Sequence, residues 1–177
     1  IIDLGVIMDS KLNFGEHIDT VVNRGHRMLE FIKRRSKEFN DPYITKAIYS
    51  SLVRSHQEYA SVVWNGIGIT ASNRIESVQK QFLLFALRNL GWRTDSFVLP
   101  RYLNRLTLIN LEPLHKRRND FDCTFAFDLL NHNIKSLQMC EKIKLNPPLN
   151  YQLRSRPPLL VPLQPWNYRS DRLYIHF

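Results

Sequence analysis

Glu16-His17-Ile18-Asp19-Thr20-Val21-Val22-Asn23-Arg24-Gly25-His26-Arg27-Met28-Leu29-Glu30-Phe31-Ile32-Lys33-Arg34-Arg35-Ser36-Lys37-Glu38 decides the fold. At 100° per residue, Ile18, Val21, Val22, Met28, Leu29 and Ile32 share one arc, with Gly25 at its middle. That spacing predicts a helix from about Glu16 to Glu38 with one buried side. Gly25 weakens such a helix, but a missing Cβ lets another backbone or side chain come close. Arg27 and Arg34 point almost directly away from the apolar arc, and Arg24 and Arg35 flank it. From Arg24 to Lys37 the basic residues are Arg24, Arg27, Lys33, Arg34, Arg35 and Lys37, against the single acid Glu30.

Working outward, Ile1 to Met8 is a short apolar run that reads as a strand, interrupted by Gly5. A strand alone leaves its backbone groups unpaired, so it needs a partner. Downstream, Asp41-Pro42 starts a second helix, because Asp caps and Pro is tolerated at the first helical position. Ile44, Ala47, Ile48, Leu52, Tyr59 and Val62 carry that pattern to about Trp64, where Gly66 and Gly68 break it. Asn73-Arg74-Ile75-Glu76 has capping-box spacing and opens a third helix. Its apolar side is Ile75, Val78, Phe82, Phe85, Ala86 and Leu90, with Arg74, Lys80 and Arg88 opposite. Leu84 and Leu87 on the outer arc predict that a second element covers this helix, and Gly91 ends it.

A shorter helix is expected within Leu99 to Leu111. Pro113 begins another, with Leu114, Phe121, Phe125 and Leu129 on one face to about Leu130. Arg118 falls on that same face, four residues before Asp122, at ion-pair spacing. A short amphipathic piece is expected over Lys135 to Lys142. Pro147-Pro148, Pro157-Pro158, Pro162 and Pro165 then exclude regular helix. The expected fold is therefore mainly α: four to five packed amphipathic helices, a short N-terminal strand and a Pro-rich extended C-terminal tail.

The chain has 177 residues, 44% of them hydrophobic and 11% aromatic, enough for one packed core. Its longest strictly apolar run, Phe82 to Leu87, falls far short of the ~18 residues that would suggest a membrane span. Ile1 in place of an initiator Met reads as a fragment or processed product, and with no basic-then-apolar stretch before a small-residue cleavage site secretion is not expected. Cys123 and Cys140 are its two cysteines, which fits a reduced intracellular compartment, nuclear or cytoplasmic, and excludes a zinc knuckle on ligand count. Of the formal charge of +9, most falls in residues 61–118, with 9 basic against 3 acidic residues, while residues 1–60 nearly balance apart from the basic cluster Arg24 to Lys37; clustered positive charge attracts polyanions by counterion release.

Chemistry-bearing constellations are sparse. Asp120 and Asp122 diverge by about 200° on a helix, so they do not share a pair of divalent ions, and Asp128 adds none. His17, His26, His56, His115, His132 and His176 lack metal-ligand spacing. Gly5, Gly15, Gly66 and Gly68 lack the Lys-Ser/Thr continuation of a phosphate loop. Lys116-Arg117-Arg118 has the composition of a nuclear-localisation patch, although a helix-surface run is the commoner reason for such a triplet. Trp64, Trp92 and Trp166 are candidates to stack on bases, and Trp64 and Trp92 also suit core-closing positions near helix ends.

The order of several blocks carries a resemblance. Leu4-Gly5-Val6 with Asp9 is followed by Leu12-Asn13-Phe14-Gly15-Glu16-His17-Ile18, the basic helix, Leu52-Val53-Arg54, Glu58-Tyr59-Ala60 and Val63-Trp64. Ile75-Glu76-Ser77-Val78-Gln79-Lys80-Gln81-Phe82, Leu99-Pro100-Arg101-Tyr102 and Leu114-His115-Lys116-Arg117-Arg118 come next. In that order the chain resembles the region after the catalytic palm in reverse transcriptases of non-LTR (LINE-type, jockey-like) retrotransposons. Asn65 is followed by Gly66, where the family usually has Pro, and the aspartate-bearing palm motif is absent. The resemblance implies three parts: 1–15 as strand and turn from the palm edge, 16–142 as a helical thumb and post-thumb domain, and 143–177 as a Pro-rich extended tail.

It further implies a fragment of an RNA-directed DNA polymerase that positions template and primer without catalytic residues of its own. The parent enzyme would use magnesium; no cofactor is expected in this segment. The expected partners are an RNA–DNA hybrid or other nucleic acid, and the palm of the same polyprotein, with no membrane. The expected contact residues are Arg24, Arg27, Lys33, Arg34 and Lys37, with Lys80 and Arg88 secondary, all to backbone phosphates. The alternative reading is a transposon-derived stand-alone helical module binding nucleic acid non-specifically or a protein.

Overall fold

A computed structural model describes residues 1–35, 41–90, 100–136 and 139. The expected Pro-rich tail over 143–177, the end of the first helix beyond Arg35 and the stop at Gly91 lie outside these residues. The chain divides into two compact units, Ile1–Asn119 and Asp120–Phe177. The described residues are mostly helical, with one small antiparallel sheet at the N-terminus.

That sheet corrects the expectation of a single strand awaiting a partner. Ile2–Asp3 (β1) pairs with Val6–Ile7 (β2), in the register Ile2 with Ile7 and Asp3 with Val6. The Leu4-Gly5 turn between them has φ of 44° and 83°, the left-handed pair that a two-residue hairpin requires. Gly5 supplies one of those conformations without strain, and the chain satisfies its own edge.

Gly15–Arg35 forms α1. Its buried residues are His17, Ile18, Val21, Val22, Gly25, Leu29 and Ile32; of the arc read from periodicity only Met28 is half-buried, and His17 joins the buried side unpredicted. Asp41 then caps Pro42–Tyr49 (α2), accepting the Tyr43 N–H at 2.7 Å, as the Asp-Pro signal predicts.

Beyond α2 the pattern departs from expectation. A π-helical turn, Ser50–Arg54, leads into Ser55–Glu58 (α3), and Ala60 at φ 50° breaks the helix before Ser61–Trp64 (α4). The buried line is Thr45, Tyr49, Val53, Gln57 and Ser61, whereas Ile44, Ala47, Leu52 and Tyr59 of the predicted face are exposed. Residues four apart drift by about 40° per step on an α-helix, and the wider π turn winds that drift back. Three of the five are polar, so hydrophobicity does not mark the line. Thr45 donates to the Asp41 carbonyl at 3.0 Å and Gln57 to the Ile75 carbonyl at 3.3 Å, which satisfies them in the interior.

Ile69–Asn89 (α5) starts one turn earlier than the Asn73 signal, after Gly68 in extended conformation. It is the central helix. Ile75, Val78, Phe82 and Ala86 are buried as predicted, Phe85 is half-buried and Leu90 is exposed. Glu76, Gln79, Leu83 and Leu87 are buried too, so a second side is covered; of the two outer leucines that predicted this, Leu87 is buried and Leu84 half-buried. Asp19 meets Arg74, and Gly25 lies against Val78, so contacts advance the same way along both helices and α1 runs parallel to α5. Tyr49 stacks on Phe82 while Gln57 reaches back to Ile75, so α2 and α3 run antiparallel to α5.

Tyr102–Ile109 (α6) and Leu114–Leu130 (α7) follow, within the limits read from Leu99–Leu111 and Pro113. The core of the first unit joins Ile18, Leu29, Tyr49, Trp64, Phe82 and Leu114 among others. The second unit contains the remainder of α7 from Asp120, in which Leu129 is buried, and the turns that follow to Ser136.

Candidate nucleic-acid interface

The outer face of α1 is set by the same periodicity that buries its inner face. Arg24, Arg27, Arg34 and Arg35 are all exposed. Arg27 and Arg34 lie two turns apart, about 10 Å along the axis. Among the described residues the Arg24, Arg27 and Arg34 side chains form no salt bridge or hydrogen bond. The Arg35 guanidinium lies 6.0 Å from the centre of the Phe31 ring. Arg24 also acts on a neighbour: burial, and then the Arg24 charge, hold the His56 pKa below its ordinary value.

Part of this charge stabilises the helix itself. Glu16 sits in the first turn and Lys33, Arg34 and Arg35 in the last, which complements the macrodipole. Arg24 and Arg27 lie mid-helix, where that explanation does not reach.

The remaining predicted contacts divide. Lys33 donates to Glu30 at 2.7 Å, and that bond holds the Glu30 carboxyl below its usual range. Lys80 is half-buried, its ammonium 5.2 Å from the centre of the Tyr102 ring. Arg88 is exposed in the last turn of α5. Because α1 and α5 are parallel, their cationic C-terminal turns share one end of the bundle. Lys37 lies outside the described residues.

Several other basic residues are tied into the fold. Arg74 pairs with Asp19 at 2.5 Å, and Lys116 pairs with Glu112 at 2.5 Å. Arg117 grips Glu58 through Nε at 2.5 Å and through a second nitrogen at 3.0 Å, a bidentate pair. Arg118 is 1% exposed; it donates to Asn65 at 3.0 Å and Ser72 at 2.8 Å and lies over the Trp64 ring. In the sequence run Lys116-Arg117-Arg118, the two arginines tie the start of α7 to Glu58, Asn65 and Ser72, while Lys116 is exposed and pairs locally. Trp64 is fully buried, its ring N–H donating to the Tyr59 carbonyl at 2.9 Å, so it cannot stack on a base. Trp92 and Trp166 lie outside the described residues.

A polar hub fills the other side of α5. Glu76 accepts the backbone N–H groups of Leu114 at 3.1 Å and His115 at 3.3 Å, and the Tyr102 hydroxyl. Gln79 accepts from Tyr49 and donates to the Glu112 carbonyl at 2.8 Å. Burial, Tyr102 and the nearby acids push the Tyr49 pKa well up; burial and Glu76 do the same for Tyr102. The carboxylate expected to close a capping box with Asn73 thus caps α7 instead. Long-range partners of this kind have no signature in a single sequence.

The acids on α7 do not form a metal centre. The helix is continuous through Asp120 and Asp122, so their side chains diverge, and Asp128 accepts from Asn133 at 3.1 Å. Among the described residues no group of three or more His, Cys, Asp or Glu side chains could hold a metal. Cys123 is half-buried, and burial with the Asp120 and Asp122 charges pushes its thiol pKa up, away from reactivity. Among the described residues no helix is long and apolar enough to cross a membrane.

Sequence periodicity left one residue of this face unremarked. Phe31 is 45% exposed and falls on the arginine arc, one turn beyond Arg27. The signal is available on a helical wheel: it is the one large apolar side chain of α1 off the buried stripe.

No protein-family model matches the chain, and no curated protein or solved structure matches it.

Proposed function

We propose that this chain is the part of a non-LTR retrotransposon reverse transcriptase that follows the palm, and that α1 holds an RNA–DNA hybrid by its backbone phosphates. One observation carries the reading: Arg24, Arg27 and Arg34 share the exposed face of a helix whose other face is locked in the core. The ordered sequence blocks supply the family. Phosphate contacts of this kind fix the position of a duplex and are blind to its sequence. The chemistry would belong to palm carboxylates and magnesium elsewhere in the parent polyprotein, and the 177-residue chain alone would add no nucleotide to a primer.

Fluorescence anisotropy with a blunt RNA–DNA hybrid tests the clamp. Affinity should fall steeply with rising salt, since each phosphate contact contributes close to one unit to the log–log slope. Arg27→Ala combined with Arg34→Ala should lower that slope by about 2. Binding that ignores both salt and the double substitution removes α1 from the interface.

A stand-alone binding module of transposon origin is the second reading. It is favoured by a specific feature: Ile1–Asn119 closes its own core and its N-terminal strand pairs within itself. The two readings separate on the genomic DNA upstream of the Ile1 codon, where the polymerase reading requires an open frame encoding the acidic palm motif.

A further inference from the structure

Lys80 on α5 and Arg105 on α6 stand apart from the other cations of the fold. Among the described residues, every other half-buried or buried lysine or arginine has an oxygen partner. Lys33 has Glu30, Lys46 the Asn110 carbonyl, Arg54 and Arg117 have Glu58, and Arg118 has Asn65 and Ser72. Lys80 and Arg105 are half-buried and have none; Arg105 Nε is shut off from water with no acceptor. What they share is one ring. The Lys80 ammonium lies 5.2 Å and the Arg105 guanidinium carbon 6.0 Å from the centre of Tyr102, so the two charges are no farther apart than those distances laid end to end. The ring quadrupole offsets part of their lost hydration but none of the repulsion between them.

No acid on these helices is free to neutralise them. Along α5 and α6 the sole acidic residue is Glu76, whose buried carboxylate already accepts from Leu114, His115 and Tyr102. The bond from Tyr102, with Gln79 donating to the same hydroxyl at 3.3 Å, fixes the ring and gives both cations a rigid support. The place is also distinct from α1. Arg74 and Val78 meet α1, whereas Glu76 and Lys80 meet Tyr102, each two residues on and so about 200° farther round α5. α6 therefore lies on the side of α5 away from α1. We infer that Lys80 and Arg105, braced by the Tyr102 ring, form a second phosphate-binding site, which takes neighbouring backbone phosphates of a nucleic-acid strand. Such a strand presents a charge every ~3.4 Å along its axis, so two separated cations find partners on it whatever its sequence. The inference rests on the nucleic-acid reading for the nature of the anion, and not on the part given to α1.

The test is the salt dependence of RNA–DNA hybrid binding by the full chain, read by fluorescence anisotropy. Lys80→Gln combined with Arg105→Gln should lower the log–log slope by about 2 and weaken binding about tenfold at about 0.1 M salt. Lys11→Gln combined with Lys135→Gln removes the same charge at two exposed positions and should leave the slope within about 0.5 of the wild type. The melting temperature of the Lys80 and Arg105 variant should hold or rise, since two like charges without an acid repel each other. A slope that stays at the wild-type value, or that falls equally in the control pair, overturns the site. A melting temperature lower by about 5 °C or more assigns the two cations to the fold and overturns it too. A slope lowered here but unmoved by Arg27→Ala with Arg34→Ala upholds the site and overturns the α1 clamp; the reverse result does the opposite. Failure to bind the hybrid at all overturns both. Displacement of the hybrid by poly-glutamate more strongly than by poly-uridylate of equal charge, lost in the Lys80 and Arg105 variant, overturns the site in favour of an acidic protein.

Discussion

Glu76, on the central helix α5, accepts the backbone N–H of Leu114 at 3.1 Å and so caps a helix that begins 38 residues later. The carboxylate is 4% exposed, and it also binds the His115 N–H and the Tyr102 hydroxyl. A negative charge at this end of α7 meets the positive end of its macrodipole. One buried acid on α5 thus binds both α6, through Tyr102, and the start of α7.

Glu76→Ala should be the most disruptive polar substitution in the first unit. It strands two backbone donors and a hydroxyl out of water, at a cost of about 2–4 kcal/mol in urea unfolding. Glu76→Gln retains an acceptor and should lose less. Equal losses for both variants would show that the hydrogen bonds to α7 contribute little.

Gly25 marks the closest approach along α1. A Cβ there would lie 3.2 Å from Gln57 Nε2 and 3.3 Å from Val78 Cγ1, both on fully buried side chains. Gly25→Ala trades improved helix propensity against that crowding and should stay within about 1 kcal/mol of the wild type. Gly25→Leu cannot be seated and should cost about 2–3 kcal/mol or more in the same measurement.

His17 joins the hairpin to α1. Its Nδ1 accepts the Ile7 N–H at 3.3 Å, which places the ring proton on Nε2, and the ring lies 5.6 Å from that of Trp64. Burial lowers its pKa. Below the ordinary value near 6.5 the unfolded chain takes up a proton that the folded ring refuses, so stability is full above that pH and falls as pH drops below it. His56 has a pKa shifted the same way and adds to the trend. The melting temperature should therefore fall between pH 7.5 and 5.5. His17→Gln, a neutral acceptor, should flatten the dependence in part, leaving the His56 share.

Cations bound within the fold should not behave like those of α1. Arg74→Ala and Arg117→Ala remove charges already paired with Asp19 and Glu58. Neither should lower the salt slope of hybrid binding, in contrast to the Arg27 and Arg34 pair. Arg117→Ala should destabilise the chain, because Glu58 is largely buried and would lose its bidentate partner. A lowered slope in either variant would move the binding face away from α1.

The chain by itself determined α1 and its two faces, because a stripe of Ile, Val and Leu at helical spacing leaves the arginines only one side to occupy. It also determined where α2 starts, through Asp41-Pro42, and that α5 is covered twice, through its second row of leucines. These are local or periodic signals, readable within a few turns. Only the tertiary structure decided that Thr45, Gln57 and Ser61 face inward, because a π turn shifts the register and a hydrogen bond to backbone, local for Thr45 and distant for Gln57, replaces hydrophobicity. It alone decided that Glu76 caps α7, that Arg118 is buried beside Trp64, and that Ile2 and Asp3 pair with Ile7 and Val6. Each of those outcomes depends on a partner far along the chain or on the exact turn between neighbours. A polar side chain carries no mark in the sequence that says whether water or a remote backbone group will satisfy it.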